Sequence, residues 1–414
     1  MATLLTNIRL LAGTHAPSRA LRGQELAILP AIDDAYLIIE GGRIGAFGRM
    51  SELSYKAPDF SQTIDLGGRV VLPSWCDSHT HLVFAGSREA EFVDKIRGLS
   101  YAEIAARGGG ILASARMLNE TSEDELYRQS LARLEELIRL GTGAIEIKSG
   151  YGLTVEGEIK MLRVIRRVKQ SAGIPVKATF LGAHAIPPDF AGNRAGYIEL
   201  ITQTMLPQIA AEGLADYIDV FCEQGFFTPD ETERICAAGA AVGLRPKIHA
   251  NQLHVSGGVQ AGVRAGALSV DHLESMDAEA TKTLAGSATI GTLLPTAAFF
   301  LRMPYQPARE LIEAGCAIAL ASDFNPGSSP SGNMNFVVSL ACIQMRMLPE
   351  EAINAATING AFAMGVQDEV GSIAVGKKAN LVVTKQIPSL AYLPYSFGSG
   401  LIERVAVNGE LGEP

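Results

Sequence analysis

Eight short runs of apolar and β-branched residues recur through the middle of the chain, each separated from the next by enough residues for a helix. They span 70–76, 143–148, 176–181, 215–221, 245–248, 267–270, 288–293 and 316–321. Strands that alternate with helical segments pair in parallel, because a helical crossover returns the chain to run in the same direction. Eight such units predict a closed (β/α)8 barrel, an α/β fold of the TIM-barrel type. The helices are legible too. Ser122 with Glu125 predicts a capping box ahead of a segment in which leucines and Ile138 recur at helical spacing and which stops at Gly141.

The two ends of the chain read as all-β. The first dozen residues alternate like a strand, and residues 35–48 are two apolar runs around Gly41-Gly42, a hairpin signal. Residues 380–383 and 404–410 repeat the pattern, with Asn408-Gly409 at the second turn. The economical arrangement is a small β-sandwich domain built from residues 1–67 and 371–414, with the barrel inserted between them as residues 68–370. No internal repeat or low-complexity tract interrupts this organisation.

Composition narrows the function. The chain of 414 residues is 47% hydrophobic, enough for a large core. Its net charge of −9, without a basic run, gives nucleic acid no surface to bind and leaves small-molecule chemistry. No basic stretch precedes a long apolar one at the start, and no run reaches the about 18–20 apolar residues that span a bilayer. Export and membrane insertion therefore have no support. The five cysteines are odd in number and scattered through apolar segments, which argues against a disulfide framework and fits a reducing cytoplasm. Cys76 and Cys222 near strand ends read as small buried hydrophobes.

In a barrel of this type the reactive groups gather at the C-terminal ends of the strands. The first run is followed by Asp77-Ser78-His79-Thr80-His81, the second by Lys148-Ser149-Gly150-Tyr151, the third by His184 and the fourth by Cys222-Glu223. The fifth leads to His249, the sixth to Asp271-His272 and the eighth to Asp323. His79 and His81, at i and i+2 on an extended chain, project to the same side and can grip one cation. Neutral imidazole suits zinc or iron, and Asp323 adds a hard anionic ligand. Taken singly, each histidine also reads as a hydrogen-bonded core residue; the joint pattern points to a metal hydrolase. His15 and His254 lack strand-end placement and carry no role.

This constellation, a His-x-His after the first strand, histidines ending strands five and six and an aspartate ending strand eight, resembles the metal-dependent amidohydrolase superfamily. The blocks HLVFAGSREAEF, GGGI, EIKSGYGL, LGAHAIPP, IDVFCEQ, SVDHLE, LLPTAAFFL and SDFNPGSSP are similar, over nearly the whole chain, to the imidazolonepropionase family. That resemblance implies hydrolytic opening of the cyclic amide of 4-imidazolone-5-propanoate to N-formimidoyl-L-glutamate, in histidine degradation. It implies one divalent or trivalent metal ion, zinc or iron, on His79, His81, His249 and Asp323, with His272 and Asp323 catalytic. It also implies substrate contacts from Arg88, Tyr151, His184, Gln252, Asn325, Gly327 and Ser328, a cytoplasmic location and a homodimer.

These residues suit those tasks. The planar fork of Arg88 matches a propionate carboxylate, although an arginine paired with Glu89 or Glu91 is the simpler alternative. Tyr151 in a Gly-rich turn can close over a ring or merely pack. Asn325, Gly327 and Ser328 can present amide and backbone groups, or serve as ordinary turn chemistry. Lys148 invites comparison with the carboxylated lysine that bridges two metals in other superfamily members. That lysine belongs to strand four, where this chain has Cys222-Glu223, so a single metal is expected and Glu223 is given a supporting or structural role. Related deaminases of cyclic amidines carry glutamate as proton shuttle where this chain has Gln252, which cannot shuttle a proton at neutral pH. A nucleobase deaminase is therefore disfavoured. A hydantoinase or dihydroorotase type lacks its bridging lysine here, and a silent scaffold barrel is disfavoured by the unbroken ligand set.

Overall fold

The computed structural model describes residues 2–54, 60–99, 103 and 107–412. Four strands come first: β1 (Ala2–Ala12), β2 (Ala31–Glu40), β3 (Arg43–Arg49) and β4 (Gln62–Pro73). Eight follow in the centre: β5 (Trp75–Thr80), β6 (Thr142–Lys148), β7 (Val176–Ala183), β8 (Tyr217–Cys222), β9 (Arg245–Ala250), β10 (Ser269–His272), β11 (Ile290–Leu293) and β12 (Ile318–Leu320). The last three are β13 (Leu381–Thr384), β14 (Ile402–Val407) and β15 (Glu410–Leu411).

The central eight form one parallel sheet in sequential order, β5 to β12. Most of their residues are buried on both faces, which is why they read as continuous apolar runs rather than alternating ones. The ring closes just beyond β12, where Asp323 N–H donates to the His79 carbonyl at 3.0 Å and His81 N–H to the Phe324 carbonyl at 2.9 Å. Asp77 clasps the same junction, accepting from Ser322 N–H (3.0 Å) and Ser322 Oγ–H (2.6 Å). Helices cover the outside. The helix Glu123–Arg139 buries Leu126, Leu134 and Leu137 against the barrel, each contributing about 1.5–3 kcal/mol. Ser122 caps it by accepting from Glu125 N–H at 3.3 Å, but the Glu125 carboxylate turns to Arg128 and Gln129, so the expected capping box is only half made.

The remaining strands form one seven-stranded mixed sheet in the order β15-β14-β13-β4-β1-β2-β3. It closes over its own core of Leu5, Ile8, Leu37, Val71 and Leu381. The β2–β3 hairpin meets the segment entering β13, with Ile44 N–H on the Lys377 carbonyl and Ala379 N–H on the Gly42 carbonyl, both near 2.9 Å. Both expected hairpins form, with Gly41, Gly42, Asn408 and Gly409 in the left-handed region their turns require. One expected run is divided: 70–73 belongs to β4 of this sheet, and the first barrel strand starts at Trp75. Two strands of different sheets follow one another with only Ser74 between, so hydropathy alone merges them. Among the described residues no helix is long and apolar enough to cross a membrane.

Candidate active site

Three imidazoles and a carboxylate converge at the C-terminal mouth of the barrel. The Nε2 atoms of His249 and His81 lie 3.4 Å apart. Asp323 Oδ1 is 3.5 Å from Nε2 of His79 and 3.5 Å from Nε2 of His81. Tetrahedral coordination with bonds of about 2.1 Å has ligand-to-ligand edges of about 3.4 Å, so the donor atoms already stand at metal-ligand spacing. His79 Nε2 is buried without a hydrogen-bond partner among the described residues, the condition a bound cation relieves. Burial holds the imidazoles of His79 and His81 well below their ordinary pKa and takes His249 down to about 3, so their lone pairs are free for a metal. The cluster could hold a metal ion, with His272 near enough to join His79 and Asp323 in an overlapping group.

Local backbone geometry aims these side chains. A register irregularity in β5 between Asp77 and Thr80 re-aims the strand where its histidines begin, as bulges do beside active sites. Asn251, His272, Leu273 and Asp323 take positive φ angles of 54°, 87°, 67° and 53° at the ends of β9, β10 and β12. Each non-glycine residue there costs on the order of 1 kcal/mol, a strain that accumulates where function fixes the chain.

A buried layer of charge lies beneath the cluster. His79 Nδ1–H donates to Asp271 (2.7 Å), which fixes the tautomer that leaves its Nε2 free, and His249 Nδ1 lies 2.9 Å from Asp219. Lys148 Nζ reaches Glu146 at 2.6 Å, Asp219 at 2.8 Å and Asp271 at 3.7 Å. Lys247 pairs with Glu146 and donates to the carbonyls of Ser78 and Ala363. All five side chains are fully buried. Burial pulls the Lys148 ammonium down, but the carboxylates of Asp219, Glu146 and Asp271 outweigh it and hold it above its ordinary value. Lys148 therefore stands under the site as a salt-bridged cation.

The residues expected around a substrate are placed unevenly. His184 stacks on His81 with centroids 5.3 Å apart, and its Nδ1 lies 3.0 Å from the Gly150 carbonyl. Tyr151 is buried with its ring 5.7 Å from that of His81, and its hydroxyl is raised by burial and then by the Asp323 charge. Arg88 is largely buried and donates Nε–H and Nη2–H to Glu91 Oε2 at 2.9 and 2.6 Å. Its Nη1 fills the space where Gly327 would carry a side chain. Asn325 spends its amide on the turn, donating to the Asp323 carbonyl and Ser328 Oγ and accepting from the N–H groups of Gly327 and Ser328. Ser328 in turn donates to Asp323 Oδ2 at 3.1 Å. Gln252 is half-buried just after β9, and among the described residues its side-chain amide makes no hydrogen bond. Glu223 holds the following loop, accepting from Leu253 and His254 N–H and lying 3.1 Å from His254 Nδ1.

Sequence reasoning passed over Glu146, Asp219, Lys247 and Glu274, and named Asp271 at a strand end without a role. Glu146 and Lys247 had a readable signal: charges set two residues before Lys148 and His249 inside apolar runs, hence on the same inward face. Glu274 is almost completely buried, with Oε1 3.3 Å from His272 Nδ1. Burial lowers the His272 pKa, but Glu274 and then Asp323 outweigh it and raise it overall.

The amidohydrolase family model matches residues 70–412. The chain is similar to solved structures of E. coli guanine deaminase (TM-score 0.74, 14% identity, 100% of this chain and 99% of that one). It is likewise similar to an adenosine deaminase from Xanthomonas campestris with bound zinc (TM-score 0.67, 16% identity, 99% and 92%). At such identities the likeness is one of fold. It is 44% identical over 404 residues to the imidazolonepropionase of Geobacillus thermodenitrificans, covering 97% of this chain and 95% of that one. With that of Flavobacterium johnsoniae it shares 58% over 412 residues, 99% of this chain and 100% of the other. End-to-end identity at this level, with the family model spanning most of the chain, means that the chain belongs to the imidazolonepropionases within the amidohydrolase family.

Proposed function

We propose that the protein hydrolyses the cyclic amide of 4-imidazolone-5-propanoate to N-formimidoyl-L-glutamate, the ring-opening step of histidine degradation. The observation that carries this reading is the 58% identity to an imidazolonepropionase over the whole chain. His79, His81, His249 and Asp323 would hold one zinc or iron ion, since imidazole and carboxylate accept both. When bound, such an ion polarises oxygen and brings the pKa of water towards neutrality.

The chain's own groups do the rest. Asp323, whose carboxyl burial pushes up to about 6, takes a proton from the attacking water. Its Oδ2 is steadied by Ser328, so the turn containing Asn325 and Gly327 orients the base. His272 donates a hydrogen bond to the ring carbonyl oxygen as charge develops there. Collapse of the tetrahedral carbon breaks the ring C–N bond, and the proton held at Asp323 passes to the departing nitrogen. Arg88, with Nε–H and one Nη2–H engaged by Glu91, holds the propionate carboxylate by the guanidinium N–H groups that remain, Tyr151 and His184 wall the ring, and the Gln252 amide hydrogen-bonds it without moving a proton. Five free, scattered cysteines fit a reducing cytoplasm, and the family resemblance carries the homodimer.

The test is loss of the imidazolone ultraviolet absorbance, run beside guanine and cytosine, with metal content measured on the same sample. Ring opening with a stoichiometric metal is the expected result. Turnover of guanine or cytosine alone would replace this reading with a deaminase.

A further inference from the structure

Glu274 stands behind His272 in an arrangement too costly for a packing residue. Two consecutive residues with left-handed backbone, His272 and Leu273, fold the chain back so that the Glu274 carboxylate reaches the ring two positions earlier. Leu273 N–H on the Ala250 carbonyl (3.2 Å) and Ser275 N–H on the Asn251 carbonyl (2.8 Å) fasten this segment to the end of β9. The glutamate side chain is only 1% exposed. Its Oε1 lies 3.3 Å from His272 Nδ1, while Oε2 is buried with no hydrogen-bond partner among the described residues. A pairing selected only for stability would use both oxygens, because a buried carboxylate costs several kcal/mol unless fully partnered.

We infer that Glu274 is the positioning residue of His272: it accepts Nδ1–H and fixes the ring with Nε2 towards the reacting carbonyl. This rests on the role given to His272 above. The logic is that of a carboxylate orienting a catalytic histidine. No bond is made or broken at Glu274; it acts through the imidazole.

The experiment compares the metal-loaded enzyme with Glu274→Gln, His272→Ala and the double variant, measuring kcat, KM, metal content and thermal midpoint. Glu274→Gln is expected to lower kcat about 100-fold with KM within about twofold, the size of effect seen when one oriented donor is lost. Metal content and midpoint should stay at wild-type values. In the His272→Ala background the same change should cost nothing further, because its effect runs through the ring. Glu274→Met removes the acceptor that Glu274→Gln keeps in weakened form, so it should lose at least as much kcat, and it serves where the latter folds poorly. Wild-type kcat in Glu274→Gln, an equal loss on top of His272→Ala, or loss of metal overturns the inference. Wild-type kcat in His272→Ala would instead overturn the parent reading of the site.

Discussion

Replacing Lys148 by methionine removes the central cation of the buried charge layer while keeping its volume. The layer holds three carboxylates, Glu146, Asp219 and Asp271, against two ammonium groups, Lys148 and Lys247. At an effective dielectric constant of about 20, contacts of this length are each worth about 6 kcal/mol of attraction, and the longer one to Asp271 about 4. Desolvation of the ions offsets most of that, and removing one partner from such a buried pair leaves a net loss of about 3–5 kcal/mol. That is a large part of an ordinary stability of about 5–15 kcal/mol. The loss also reaches the metal. Asp219 and Asp271 hold His249 and His79, and loosening such supporting carboxylates costs about 10–100-fold in metal affinity. Urea unfolding of metal-free protein and chelator competition on the loaded protein measure the two effects. Glu146→Gln in the same background restores the charge excess to one carboxylate, so the double variant should lose at least about 1 kcal/mol less than the two single losses combined. A Lys148→Met protein within about 1 kcal/mol of wild type that keeps its metal affinity, or strict additivity in the double variant, would refute the reasoning.

His79→Ala or Asp323→Ala should yield folded protein with substoichiometric metal and no measurable ring opening, checked by elemental analysis beside the ultraviolet assay. Arg88→Ala should raise KM by about 10–100-fold with a smaller change in kcat, since charge-assisted hydrogen bonds contribute about 1.5–3 kcal/mol; an unchanged KM would move the carboxylate anchor elsewhere. Gly360→Ala should cost about 1–3 kcal/mol in urea unfolding, because its Cβ would collide with the carbonyl oxygen of Cys76 where the helix Ile358–Ala363 crosses β5.

Much of the barrel was legible because parallel strands buried on both faces leave uninterrupted apolar runs, and the chemistry was legible because those runs end in histidine or aspartate. The boundaries were not. Val70 and Trp75 belong to different sheets, yet both are fully buried, so nothing in their hydropathy marks the change at Ser74. Several residues read as following a strand lie within it: His79, His249 and His272 are still strand residues. The charge layer escaped notice because Glu146 and Lys247 look like the polar half of an alternating strand, and only closure of the ring turns that half inward. For Asn325 and Ser328 the sequence leaves open both a ligand-facing role and ordinary turn chemistry; their side chains are bonded to Asp323 and to their own turn, which only tertiary geometry reveals.

The join between the first and last strands of the ring has a consequence for biogenesis. Asp77 and Ser322, which clasp that join, are 245 positions apart, and His79 and Asp323, the proposed metal ligands, flank it. A nascent chain still lacking its eighth strand has a gap where the fourth ligand belongs, so it can offer a passing cation only an incomplete histidine cradle. An ion seated across the join would hold the two ends of the barrel together against fraying.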